Sequence, residues 1–278
     1  MYAGAALAVG LFDRMSPAGV AWLRLAGAAA VLVVWRMVAR RVSRRGRAAW
    51  SRRRLLLAGA FGLVTAAMNI VFYEAIARLP LGTAVAIEFT GPVLVAALGS
   101  RGRRDRAALA LVVLGVGLIA DVRLEGSPAG VAFALAAALL WAAYIVLGAR
   151  VSQGSGSTGE GVDGLAIGFV VAAVVLSPLA LTAAPIAGEP LLLGSALALG
   201  VLSSVVPYVL DQVVLRRVGR ARFALLLALL PLTATVVGLV GLAQIPAPLE
   251  ALGIAAVVVG VALRREDAPT DAGAQPPG

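Results

Sequence analysis

A chain of 278 residues that is 61% hydrophobic and only 14% charged is too apolar for an ordinary soluble domain. All 24 basic residues are arginine, the formal net charge is +10, and histidine and cysteine are absent. These absences exclude disulfides, thiolate chemistry, histidine-based dyads and the usual zinc sites, and the composition points to a polytopic membrane protein. The first piece, Ala3 to Phe12, is apolar but short. A helix of about twelve residues spans roughly 18 Å against about 30 Å of hydrocarbon, so this helix reads as truncated, being either partial or begun upstream. The stretch MYAGAALAVGLFDR lacks a basic n-region and a cleavage site and does not read as a signal peptide. Nine further spans follow near 17–38, 55–78, 81–100, 107–121, 128–149, 163–184, 190–215, 222–242 and 248–263. Leu79-Pro80-Leu81-Gly82 and Ile245-Pro246-Ala247-Pro248 read as tight turns between adjacent spans. The expectation is an all-α membrane protein of ten transmembrane helices, the first truncated.

Arginine placement sets the expected orientation. Nine lie between residues 36 and 54, four between 101 and 106, then come Arg150, the group Arg216, Arg217, Arg220 and Arg222, and finally Arg264 and Arg265. These are alternate connections plus the C-terminal end, whereas the other side holds only Arg14, Arg78 and Arg123. Short basic loops stay cytoplasmic, so both termini are expected in the cytoplasm, which demands an even number of crossings. Arginines gathered at span ends, with no polar domain to present them, argue against a nucleic-acid partner. SQGSGSTGEG, residues 152–161, reads as a flexible cytoplasmic loop, and the Pro/Gly-rich tail 265–278 as disordered.

The chain also repeats itself. VVLGVGL (112–118) matches VVVGVAL (257–263), and the segment 78–99 lies over 217–238 with Pro92 against Pro231. The halves are then residues 1–121 and 127–264, with five spans each. An odd number of spans makes the halves insert in opposite senses, and inverted repeats with a site near mid-membrane are a transporter signature. SPAGVA at 16–21 and 127–132 is a misleading repeat, since both copies are Ser-Pro helix starts on non-equivalent helices.

MNIVFYEAIARLPLGTAVAIEFTGP (68–92) resembles the drug/metabolite transporter superfamily in its EamA-type branch, and is most similar there to bacterial threonine/homoserine exporters. WLRLAGA (22–28), LLWAAYIVLGAR (139–150), LSSVVPYVLDQVVLRR (202–217) and the pair 222–263 extend the resemblance over nearly the whole chain. It implies two inverted five-helix EamA-type repeats around a central cavity, and export of small metabolites from the inner membrane driven by protons. No cofactor is implied. The chain departs from the pattern in its short first helix, in Leu230 where the family often has Glu, and in Ala243-Gln244 where it often has Gly-Glu. Glu74 stands where relatives carry an apolar residue.

Arg24 and Glu88 each lie about seven residues, or roughly 10 Å, into a helix from the same face. A charge at that depth costs a few kcal/mol unless it is paired or faces water. Two readings follow: a structural ion pair, or a cavity in which Arg24 holds a substrate carboxylate and Glu88 an ammonium group or a proton. Thr90-Gly91-Pro92 follows one turn later, where Pro92 bends the helix and Gly91 permits close approach; Pro231 reads likewise. Asn69, Tyr73, Trp141, Tyr144 and Tyr208 are candidate cavity walls, although Trp and Tyr also populate membrane interfaces. Asp211 reads as an interface acid or as a cytoplasmic gate, and the resemblance favours the gate. Glu74 and Arg78 read as an i, i+4 pair at the outer rim. Gly115, Gly117, Gly253 and Gly260 are assigned to close helix packing. The expected function is proton-coupled export of threonine, homoserine or a similar small molecule by alternating access. The alternatives are another cargo, such as a drug, a nucleoside or another amino acid, and a non-transporting membrane partner. The oligomeric state is left open, a homodimer included. An intramembrane enzyme is disfavoured for want of catalytic pairs.

Overall fold

The computed structural model describes residues 2–42, 51–99, 102–124, 127–153, 158–186, 188–190, 194, 198, 200, 203 and 230–263. Among the described residues the regular structure is helical throughout. Helix α1 is Tyr2–Val9, α2 is Pro17–Val42, α3 is Arg52–Ile76, α4 is Leu81–Glu88 and α5 is Thr90–Gly99. Helix α6 is Arg103–Leu124, α7 is Pro128–Gln153 and α8 is Thr158–Val175, and a 3-10 helix covers Ser177–Ile186. Helix α9 is Leu230–Leu242 and α10 is Pro248–Leu263. The spans expected near 190–215 and at the start of 222–242 lie largely outside the described residues.

Serine and proline set several of these starts. Ser16 precedes Pro17, and its hydroxyl accepts a hydrogen bond from the Gly19 N–H at 3.1 Å. Ser51 caps α3 in the same way, accepting from the Arg54 N–H at 3.3 Å. Both SPAGVA copies therefore begin helices, at Pro17 and at Pro128, as their Ser-Pro pattern requires. The outcome differs from expectation at two spans. The span expected at 81–100 is two helices that meet at Phe89. The span expected at 163–184 ends as an α-helix at Val175 and continues from Ser177 as a 3-10 helix, because Pro178 brings no N–H to the α-helical ladder.

Three of the described helices are long and apolar enough to cross a membrane: Pro17–Val38, Arg52–Ile76 and Pro128–Gly148. At about 1.5 Å per residue, each exceeds the hydrocarbon thickness of about 30 Å. The remaining apolar helices are shorter. Trp35, Val38, Leu139, Val146 and Val240 are among many large apolar side chains left exposed. So much exposed apolar surface is unsuited to water and suited to acyl chains.

At the centre stands α4, in which all eight residues are buried. It packs against α9, α7 and α10, while α3 lies between α7 and α8 and also touches α2. Helix α6 lies along α10, α2 along α8, and the short α1 against α9. The α6–α10 contact is a small-residue seam. A side chain on Gly115 would run into the Gly253 carbonyl and Val257, and one on Gly253 into the Gly115 carbonyl and Ile119. Gly260 closes the seam against Val112 and Ala108, as expected. Gly117 does not share this role, since it faces open space.

The two turns beside α4 are tied together by polar groups. Helix α4 begins at Pro80, which offers no side-chain cap. The Gln244 side chain supplies one from the turn after α9, its Oε1 accepting from the Leu81 N–H at 2.9 Å. Gln244 is placed by a Schellman turn in which its own N–H donates to the Gly238 carbonyl at 3.0 Å, with Ala243 in the left-handed region at φ 52°. One turn along, the Thr83 hydroxyl donates to a Glu250 carboxylate oxygen. The other Glu250 oxygen accepts from the Ala247 N–H at 3.2 Å, closing a capping box at the start of α10. Glu250 is fully buried.

Ala243→Gly relieves the left-handed strain and is expected to stabilise the purified protein by about 1 kcal/mol; an unchanged or lower midpoint in a thermal melt would contradict this geometry. Glu250→Ala leaves the Thr83 hydroxyl and the Ala247 N–H without their acceptor and is expected to cost about 2–3 kcal/mol in the same melt.

Candidate functional site

The polar residues singled out by sequence converge where α2, α3 and the α4–α5 break meet. Arg24, on α2, is buried at 6% exposure, and Tyr73, near the end of α3, is fully enclosed. Arg24 Nη1 donates to the Tyr73 hydroxyl at 3.1 Å, and the guanidinium carbon lies 5.0 Å from the Tyr73 ring centroid. A guanidinium on an aromatic face keeps its charge inside the protein at reduced cost, and among the described residues most of its five N–H groups have no hydrogen-bond partner. Phe12 meets the Tyr73 ring edge-on at 5.9 Å, and Phe72 does so at 6.3 Å. The short α1 thus helps to frame the site through the residues that follow it.

Glu88 is the last residue of α4 and is 6% exposed. Among the described residues it has no hydrogen bond and no ion pair, and Arg24 is the charge whose field it feels. The direct ion pair offered as one reading of the sequence is therefore not formed; Arg24 donates to Tyr73 instead. A buried polar group without a partner is rare enough to require an explanation.

The break beside Glu88 has a local cause. Pro92 brings no N–H to the Glu88 carbonyl four residues back, so the ladder lapses there. The Phe89 N–H still donates to the Val85 carbonyl at 3.1 Å, and the Val93 N–H to the Phe89 carbonyl at a longer 3.3 Å. The Thr90 hydroxyl donates to the Ile87 carbonyl at 2.7 Å, which closes the turn. A side chain at Gly91 would strike the Ala138 carbonyl, so α7 crosses the break in direct backbone contact. Close approach at Gly91 was expected; the partner helix was not specified.

Trp141 and Tyr144 of α7 face inward. Trp141 meets Phe89 edge-on at 4.9 Å, and Tyr144 stacks on Phe61 of α3 at 4.9 Å. These contacts separate them from aromatic residues that anchor a helix at the interface. Asn69 is half-buried on α3, with its Nδ2 donating to the Thr65 carbonyl at 2.7 Å. Pro231 is buried near the start of α9, and its carbonyl accepts from the Thr235 hydroxyl at 2.8 Å. It lies on the helix that packs against α4. Tyr208 and Asp211 lie outside the described residues. Glu74 and Arg78 form the expected i, i+4 pair at 2.5 Å. Sequence reasoning did not single out Phe12, Phe61, Phe89, Thr83 or Glu250. For Glu250 a signal existed: Pro248 followed two residues later by Glu is the pattern of a helix start with an inward-turning cap.

Residues 128–264 match the EamA-like transporter family. A threonine/homoserine exporter RhtA of Salmonella typhimurium strain SL1344 is 33% identical over 279 residues, covering 95% of this chain and 88% of that protein. RhtA of Escherichia coli K12 is 34% identical over 266 residues, covering 92% and 84%. One crystal structure superposes with a TM-score of 0.52 at 20% identity over 95% of this chain and 91% of its own, which concerns the fold alone. An identity of this level along nearly the full length, joined to the family match, establishes that the chain belongs to the EamA-like family of the drug/metabolite transporter superfamily.

Proposed function

We propose that this transporter exports small amino acids of the threonine and homoserine kind across the bacterial inner membrane in exchange for protons, with Arg24, Tyr73 and Glu88 at its binding site. The observation that carries the reading is a buried carboxylate with no partner among the described residues, beside a guanidinium with spare donors. A zwitterion supplies the two missing groups at once. Its carboxylate takes the free N–H groups of Arg24, and its ammonium group takes Glu88. A proton and an ammonium group then compete for the same carboxylate, which is how binding couples to proton movement. Thr90, Gly91 and Pro92 shape the break that presents Glu88, Trp141 and Tyr144 form the wall on α7, and Tyr208, Asp211 and Pro231 belong to the path of the second half. The cargo class is supported by the relatives, which are threonine/homoserine exporters.

In this reading the motion is alternating access by two inverted five-helix repeats, residues 1–121 and 127–264. The packing pattern supports it. If the halves exchange under a two-fold axis, the fifth span should pair with the tenth, the fourth with the ninth and the second with the seventh. Helices α6 and α10, α4 and α9, and α2 and α8 are in contact in that way. The contact of α1 with α9 answers that of α7 with α4, and the matching segments 112–118 and 257–263 lie on α6 and α10. Both termini are cytoplasmic in this arrangement.

Cells overexpressing the protein are expected to survive toxic threonine and homoserine by exporting them, and Glu88→Gln to lower that export by about 10–100-fold, the equivalent of one charge-assisted hydrogen bond. Gradient-driven export at the wild-type level in Glu88→Gln would remove Glu88 as the proton carrier, and absence of export by the wild type would reject the cargo. A fluorescent protein fused after Gly278 is expected to mature in the cytoplasm; maturation only of a periplasm-competent reporter would reverse the orientation.

A further inference from the structure

We infer that Asn69 is the residue that selects cargo by its side-chain hydroxyl, so that the site takes small α-amino acids hydroxylated on the β or γ carbon. The inference rests on the cargo reading above and adds to it the group that reads the side chain.

Phe61, Thr65, Asn69 and Tyr73 recur every fourth residue and so share one face of α3. Tyr73 at one end of this face meets Arg24, and Phe61 at the other stacks on Tyr144 of α7. Phe61, Thr65 and Tyr73 are buried, so the face turns into the protein and away from lipid. Asn69 stands one turn from Tyr73, which places their Cβ atoms about 5–6 Å apart.

Depth brings Asn69 to the level of the two charges. It lies seven residues before the end of α3 at Ile76, Glu88 seven after the start of α4 at Leu81, and Arg24 seven after the start of α2 at Pro17. Each is therefore about 10 Å from its helix end. Those ends are neighbours, because α3 and α4 are joined by the short Ala77–Pro80 corner and α2 and α3 touch along their length.

The side chain's bonding leaves one atom without a partner. Asn69 Nδ2 donates to the Thr65 carbonyl at 2.7 Å, which fixes the plane of the amide. The Thr65 hydroxyl is already committed to the Phe61 carbonyl at 2.7 Å and cannot serve Asn69. Asn69 Oδ1 consequently accepts no hydrogen bond among the described residues. A half-buried amide oxygen on the inward-turned face of a membrane helix calls for a donor. With the cargo carboxylate on Arg24 and its ammonium group on Glu88, the remaining polar group is the side-chain hydroxyl, and Oδ1 is the acceptor at that level. Neutral hydrogen bonding of this type rejects a cargo that lacks the hydroxyl far more sharply than shape alone does, because the site's own polar atom is then left unpaired.

The test measures efflux from preloaded cells for threonine, homoserine, 2-aminobutyrate and valine, the last two lacking the hydroxyl. The wild type is expected to export threonine at least about tenfold better than valine at equal internal concentration. Asn69→Ala is expected to lower threonine and homoserine efflux by about tenfold or more while raising that of 2-aminobutyrate and valine, because the oxygen those two leave unpaired is gone. An equal fall for all four amino acids would mean that Asn69 only supports α3, and would overturn the inference. If Asn69→Ala does not reach the membrane, the wild-type comparison still decides: equal export of threonine and valine overturns the inference while leaving the cargo reading intact. Export of none of the four removes the cargo reading itself.

Discussion

Within hydrocarbon there is no water to satisfy a polar group, so each donor, acceptor and charge has to find its partner inside the protein. Most of the polar residues in the described part of this transporter obey that constraint in a visible way. Arg24 rests on Tyr73. Thr83 and the Ala247 N–H share Glu250, and Gln244 caps a helix whose preceding residue is a proline without a cap of its own. Seen against these, Glu88 and the Asn69 oxygen are exceptions, and both lie at the depth of Arg24. In the proposed mechanism, the positions where the protein withholds a partner are the positions where the cargo supplies one.

The same constraint explains why the centre of the molecule is interrupted. An unbroken fourth span would direct the Glu88 carbonyl into its own ladder. Pro92 prevents this, Thr90 closes the turn, and Gly91 lets α7 press against the break. Phe89, at the break itself, packs edge-on against Trp141 of α7. A backbone break in lipid would be ruinous, but α4 is buried along its whole length, so the break is shielded by protein. On the far side of α4, the Thr83–Glu250 and Leu81–Gln244 contacts fasten it to α10 and to the turn after α9. Helix α4 is thus held at its start by polar contacts and interrupted at its end, beside the site.

Much of this was legible in the sequence. Hydropathy revealed the apolar helices, and the Ser-Pro pairs their starts. Depth counting put Arg24 and Glu88 on one level, and i, i+4 spacing paired Glu74 with Arg78. What sequence could not supply was the direction in which each side chain turns. Arg24 and Glu88 at equal depth left an ion pair and a shared cavity both open, and it is the tyrosine one helix away that takes the guanidinium. Trp141 and Tyr144 carried the composition of interface anchors and turned inward, because their partners Phe89 and Phe61 lie more than fifty residues away in the chain. Glu250 was overlooked because an acid beside a proline turn reads as surface, and only the approach of α4 makes it central. Gly117, in a run of small residues, read as packing but lies on the open side of its helix.

The central claim is that position 88 opens onto the path taken by the cargo. The chain contains no native cysteine, so a single Glu88→Cys variant carries one reactive thiol. Its labelling by a small, charged, water-soluble methanethiosulfonate is the most direct measurement. The account predicts that the thiol is modified in intact membranes and that added threonine slows the modification. A thiol that no water-soluble reagent reaches, in a variant shown to be folded and inserted, would mean that the side chain is sealed in a dry helix contact, and the proposed mechanism would fail.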